Sequence, residues 1–151
     1  MLTHTQERIL EWLLNTEKDT TIRALARSIE SPYALTHKNI QDLLSKKILL
    51  KKEIPPAHII NIHPNAPQEI LLYIEGKRTK DFLKKHPAIQ IMLKDLISYT
   101  KDPFFTLAIF GSYAKGTQTS KSDLDLLLII PTKKESGKFQ AAIDKSYIKT
   151  K

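Results

Sequence analysis

The stretch "FFTLAIFGSYAKGTQTSKSDLDLLLII", residues 104–130, constrains the fold more than any other part of the chain. Two runs rich in β-forming residues flank a segment that holds Gly111, Gly116 and a string of small polar residues. The pattern predicts a strand, a turn with a short helix start, and a second strand. That second run, "DLDLLLII", opens with two carboxylates separated by one leucine. Side chains alternate along a strand, so a strand over 123–130 puts Asp123 and Asp125 on one face with Cα atoms about 6.6 Å apart. Two bare carboxylates so placed repel each other. With hard divalent cations they become ligands, including for a pair of ions about 3.5–4 Å apart. Gly111 permits close backbone approach, and Ser112 with the neighbouring amides suits the outer phosphates of a nucleotide. Lys115 and Lys121 lie in the spacer and are candidates for further phosphate contact.

The N-terminal part reads differently. Ile9, Trp12 and Leu13 fall at helical spacing, which predicts a helix from about Thr5 to Asn15. "TIRALARSIE" repeats the pattern through Ile22, Leu25, Ala26 and Ile29. "SPYALTHKNIQDLLSKKILL" then predicts a third helix, with Ser31 as cap and Pro32 at its first position. Two β-type runs follow, "ILLKKEI" and "HIINIH", and the intervening "PPA" suits a hairpin turn. Three helices and a hairpin resemble a winged helix-turn-helix domain over residues 3–63. In such domains the third helix enters the major groove, so the resemblance implies that Tyr33, Thr36, His37, Lys38 and Gln41 meet the bases or phosphates of duplex DNA. The excess of basic over acidic residues in this part is small.

From Gln68 to Leu83 a helix is expected after Pro67, and "AIQIMLKDLISYT" is expected to form another after Pro87. Ile89, Met92, Leu93, Leu96 and Ile97 give the latter a broad apolar face that reads as core. The expected division is 1–64, a winged helix; 65–103, a helical connector; and 104–151, the segment with the paired aspartates.

Residues 104–130 resemble the nucleotidyltransferase domain of the DNA polymerase beta superfamily, most closely its minimal members. Phe110, Gly111, Ser112, Asp123 and Asp125 match its pattern position by position. The resemblance implies transfer of a nucleoside monophosphate from a nucleoside triphosphate, ATP being the expected one, to a hydroxyl acceptor. Two magnesium ions are implied, held by Asp123 and Asp125, with Gly111 and Ser112 on the triphosphate. The acceptor is a protein hydroxyl, a nucleic-acid end or a small molecule, with a partner protein favoured. The family also uses a third carboxylate on a later strand, and no position matches it. Glu135 lies in "PTKKESG" and Asp144 in "KFQAAIDKSYIK", an expected helix, so neither is assigned the role. A two-stranded sheet leaves an edge open, which leads to the expectation of a shortened domain that pairs with a second copy as a homodimer.

The fold class expected is α+β, a winged helix followed by a partial polymerase-beta-like nucleotidyltransferase domain. A net charge of +8 and a pI near 9.6 favour phosphate-bearing partners. The absence of cysteine excludes disulfides and thiolate metal sites. His4, His37, His58, His63 and His86 are scattered without metal-ligand spacing. No apolar run approaches the roughly 18 residues needed to span a bilayer, so a cytoplasmic protein without membrane partners is expected. The competing expectation is a DNA-binding transcriptional regulator whose C-terminal half is an inactive nucleotide sensor or dimerisation element.

Overall fold

The computed structural model describes residues 1–16, 19–55, 57–100, 105–132 and 136–145, and the chain divides into two compact units, Met1–Asp81 and Phe82–Lys151. The first unit contains α1 (His4–Asn15), β1 (Thr20–Thr21), α2 (Ile22–Ser28), α3 (Tyr33–Ser45), β2 (Leu49–Ile54) and β3 (Ala57–Ile62). Three helices followed by an antiparallel hairpin make a winged helix, as the sequence pattern implies. β1 is an addition: Thr20 and Thr21 pair with Ile60 and Ile59, giving the sheet order β1-β3-β2. A two-residue strand has no periodicity to read.

Ile9, Leu10, Leu25, Ile40, Leu43 and Ile60 are fully buried and form the centre of this unit, with Trp12 packed partly buried against them. Polar ties fix how α1 meets α3. Thr3 and Gln6 form a capping box at the start of α1, Thr3 Oγ1 donates to Asn39 Oδ1 at 2.8 Å, and Gln6 Nε2 donates to Asp42 Oδ2 at 2.6 Å. Gln6 and Asn39 are nearly inaccessible, so these bonds satisfy polar groups that would otherwise destabilise the fold. Ser31 does not cap α3. Pro32 occupies the cap position, and its carbonyl accepts from Thr36 N at 3.0 Å.

α4 (Gln68–Lys85) brings Ile70 and Ile74 onto the same core. Its next turn carries Lys77, whose Nζ lies 2.7 Å from Glu7 Oε2 and 3.2 Å from Glu11 Oε1, while Tyr73 donates its hydroxyl to Glu7 Oε1 at 2.7 Å. The hydrogen bond from Lys77 holds the Glu7 carboxyl below its ordinary range, and Glu7 in turn pushes Lys77 up to about 12.

In the second unit, α5 (Pro87–Tyr99) packs against α7 (Ser136–Lys145), burying Leu93, Leu96, Phe139 and Ala142. Its apolar face is narrower than expected, because Ile97 is half exposed. β4 (Thr106–Phe110), α6 (Gly111–Lys115) and β5 (Asp125–Ile129) follow one another, and the two strands pair antiparallel. Among the described residues this sheet has two strands. No helix among the described residues is long and apolar enough to cross a membrane.

The α1–α4 clamp sets a pH window. Glu7, with its lowered pKa, contributes stability that is present above 4.5 and lost as pH falls through its lowered value. Lys77, raised from 10.5 to about 12, contributes stability that is present below 10.5 and lost as pH climbs through 12. Lys77→Met should lower stability by about 1 kcal/mol at neutral pH. Thermal unfolding followed from pH 3 to pH 12 would show the wild-type advantage vanish at both ends; an advantage constant across that range would contradict the clamp.

Candidate functional site

The paired-aspartate segment is organised around Gly111. β4 ends at Phe110 because Gly111 takes a φ of 70°, a left-handed conformation that turns the chain into α6. Phe110 pairs with Asp125, which is therefore the first residue of β5. The expected strand over 123–130 is thus too long: with β4 finished at Phe110, nothing remains on that strand for Asp123 to pair with. Phe104, the expected first residue of the preceding strand, lies outside the described residues.

A second reason for glycine is steric. A Cβ on Gly111 would lie 2.1 Å from Asp125 Oδ2 and 3.0 Å from its Cγ, so the carboxylate occupies the space that any other residue would fill. The Gly111 turn and one of the two acidic residues of the motif are therefore in direct contact. Asp123 follows a tight turn, in which Thr119 N donates to Ser122 Oγ at 2.8 Å and Ser122 N donates to Thr119 O at 3.0 Å. Asp123 and Asp125 are both exposed, with Leu124 half-buried between them.

Ser112 is half-buried in α6, and its carbonyl accepts from Thr117 N at 3.0 Å. Lys115 and Lys121 are exposed on the spacer. Among the described residues no third His, Cys, Asp or Glu joins the aspartates in a metal-binding group. Asp144 is exposed on α7, accepting from Gln140 Nε2 at 3.0 Å, and Glu135 lies outside the described residues. Two carboxylates supplemented by substrate phosphate oxygens are the donor set that magnesium uses, so the residues fit that ion when a nucleotide accompanies it.

In the first unit the face of α3 is sharply divided. Tyr33, His37, Lys38 and Gln41 are exposed together, with Tyr33 and His37 rings 5.8 Å apart and Gln41 Nε2 3.5 Å from His37 Nε2. Thr36 is placed differently from the expected contact surface: it is fully buried on the face that carries Ile40 and Leu43. Arg23 and Arg27 were not singled out by the sequence pattern. They stand one turn apart on α2 and, with Ala26, Glu30, Ser31 and Tyr33, line a cleft of about 500 Å3 beside the start of α3. Their i, i+4 spacing on the outward face of a helix was the available signal.

A matched pair of substitutions isolates the Gly111 contact. Gly116 also has a positive φ, 68°, but an added Cβ there meets nothing within 4 Å. Both Gly111→Ala and Gly116→Ala should cost about 1–2 kcal/mol for the backbone. Only Gly111→Ala should also displace Asp125, so if the expected nucleotide site operates, Gly111→Ala should lose magnesium-dependent binding in calorimetry while Gly116→Ala retains it. Equal binding by the two variants would remove the steric argument.

Comparison with known proteins places this geometry. Residues 89–150 match the family model described as the nucleotidyltransferase domain. No curated protein matches the chain. A MarR family protein from Bacillus stearothermophilus aligns with 18% identity and a TM-score of 0.47, covering 64% of this chain and 71% of that one. The adhesin competence repressor from Streptococcus pyogenes aligns with 21% identity and a TM-score of 0.41, covering 64% of this chain and 77% of that one. At that level of likeness the winged helix rests on this chain's own order of helices and strands. Residues 89–150, which follow the winged helix, are thus similar to the nucleotidyltransferase domain family.

Proposed function

We propose that the second unit binds a nucleoside triphosphate, ATP being the expected one, and transfers its nucleoside monophosphate to a hydroxyl. The observation that carries this reading is the contact between the Asp125 carboxylate and the Gly111 turn. The turn that would bind phosphate and the carboxylate are there parts of one local structure.

In this reading the backbone at Gly111 and Ser112 binds the outer phosphates, with Lys115 and Lys121 adding positive charge from the spacer. Asp123 and Asp125 would hold magnesium, which supplies charge neutralisation at the reacting phosphate. In the transfer the acceptor oxygen bonds to the α-phosphorus, the bond from that phosphorus to the bridging oxygen breaks, and pyrophosphate leaves with the electron pair. The hydroxyl proton must go to a base. Binding thus needs only the residues described above, whereas transfer needs a proton acceptor in addition. A hydroxyl on a partner protein is the acceptor this reading favours.

Calorimetric titration of a nonhydrolysable ATP analogue tests the first step. Binding to the wild type should require magnesium, and Asp123→Ala combined with Asp125→Ala should weaken it by about two orders of magnitude. Magnesium-independent binding, or binding unchanged in the double variant, would refute the assignment.

A second reading concerns the first unit and is favoured by the exposed row on α3. Tyr33, His37, Lys38 and Gln41 would enter the major groove of duplex DNA, with Arg23 and Arg27 on the flanking phosphates. In that reading the protein is a DNA-binding regulator and its second unit a nucleotide sensor or dimerisation element. Lys38→Ala and Arg27→Ala should each reduce duplex affinity and lower the slope of log affinity against log salt by about 1. Affinity that does not change with salt would exclude phosphate contact.

A further inference from the structure

Phe110 is an aromatic ring that the fold leaves uncovered beside the Asp125 carboxylate. It is 51% exposed and is the direct antiparallel partner of Asp125. Paired residues in an antiparallel sheet project from the same face with Cβ atoms about 5 Å apart, so the ring and the carboxylate stand side by side. Leu127, two residues beyond Asp125, is 50% exposed on that face. Most other described aromatics of this unit have ring partners: Phe139 is buried against Phe105, and His86 packs on Phe82 at 4.5 Å and on Tyr113 at 5.6 Å, while the exposed Tyr99 stands on α5, outside the strand–helix–strand segment.

We propose that Phe110 is the platform on which the nucleobase of the bound triphosphate stacks, with Leu127 flanking it. The inference rests on the nucleotide reading above, and the chemistry of that reading sets its direction. The phosphorus under attack is the α-phosphorus, which must lie by Asp123 and Asp125, and the ribose is bonded to that same phosphate. The nucleoside therefore begins at the carboxylates rather than at the far end of the phosphate tail. One ribose beyond the α-phosphate comes the base, and the aromatic surface next to Asp125 in the sheet is Phe110. Such stacking is tolerant of base identity because every base presents a π-face. The site accordingly accepts all four nucleoside triphosphates, with purines favoured by their larger face.

Binding of two ligands to the full chain separates the base from the phosphates. α,β-Methylene-ATP and inorganic tripolyphosphate are titrated calorimetrically, each with magnesium, into the wild type, Phe110→Ala and Phe110→Trp. Phe110→Ala should weaken the ATP analogue about 10-fold while leaving tripolyphosphate within about twofold, and Phe110→Trp should bind both as the wild type does. Unchanged affinity for the analogue in Phe110→Ala would overturn the inference. So would an equal loss of both ligands, which would assign the ring to the shape of the turn. A wild type that binds neither ligand would sink the nucleotide reading itself, and the stacking inference with it.

Discussion

The space above the Cα of Gly111 decides the layout of the site-bearing segment. Asp125 Oδ2 fills it, at 2.1 Å from where a Cβ would be, and the φ of 70° at Gly111 ends β4 one residue earlier. Those two facts make Phe110 the partner of Asp125 and start β5 there. The alternation of β5 then follows: Asp125, Leu127 and Ile129 face outward, while Leu126 and Leu128 are half-buried. The Thr119–Ser122 turn takes up the intervening chain and delivers Asp123 just before the strand.

The first unit is held by a different balance. Its centre is a set of fully buried aliphatic side chains; of the polar groups that enter it Gln6 and Asn39 are paired, whereas the Thr36 hydroxyl has no partner among the described residues. Gln6 serves two purposes, closing the capping box of α1 and donating to Asp42 of α3. Lys46 and Gln6 together hold the Asp42 carboxyl below its ordinary range. Because the bonds from Thr3 and Gln6 reach Asn39 and Asp42 on the side of α3 that faces α1, the outer row is left to Tyr33, His37, Lys38 and Gln41, and solvent exposure there conflicts with nothing in the core.

What could be read from the residues was what depends on local pattern. The prolines and β-branched runs marked the hairpin, helical spacing marked the three helices, and Gly111-Ser112 ahead of Asp123 and Asp125 marked the site. What could not be read depends on partners distant in the chain. β1 exists because Thr20 and Thr21 meet Ile60 and Ile59, a pairing that two threonines cannot announce. The start of β5 is set by where β4 stops, so Asp123 falls outside the strand although its own neighbours suit one. Thr36 is the instructive failure, because its signal was present. It precedes Ile40 by four residues and Leu43 by seven, which puts it on their buried face whatever its polarity. A hydroxyl at that phase fits the core by size, and chemical type alone was a poor guide to its exposure.

The two functional readings rest on different residues in different units, and this makes them logically independent. Nucleotide binding draws on the Gly111 turn, Asp123, Asp125 and the ring of Phe110, all within one strand–helix–strand segment. Duplex binding draws on the outer faces of α2 and α3. Neither set borrows a side chain from the other, so each reading can be tested by its own substitutions. The chain's net charge of +8 cannot choose between them, since a triphosphate and a duplex both attract positive charge. Local geometry can. The Asp125 carboxylate beside Gly111 would repel a bare phosphate backbone unless a cation intervened, whereas the outward faces of α2 and α3 carry Arg23, Arg27 and Lys38. On these readings a requirement for magnesium would belong to the second unit, and a dependence on monovalent salt to the first.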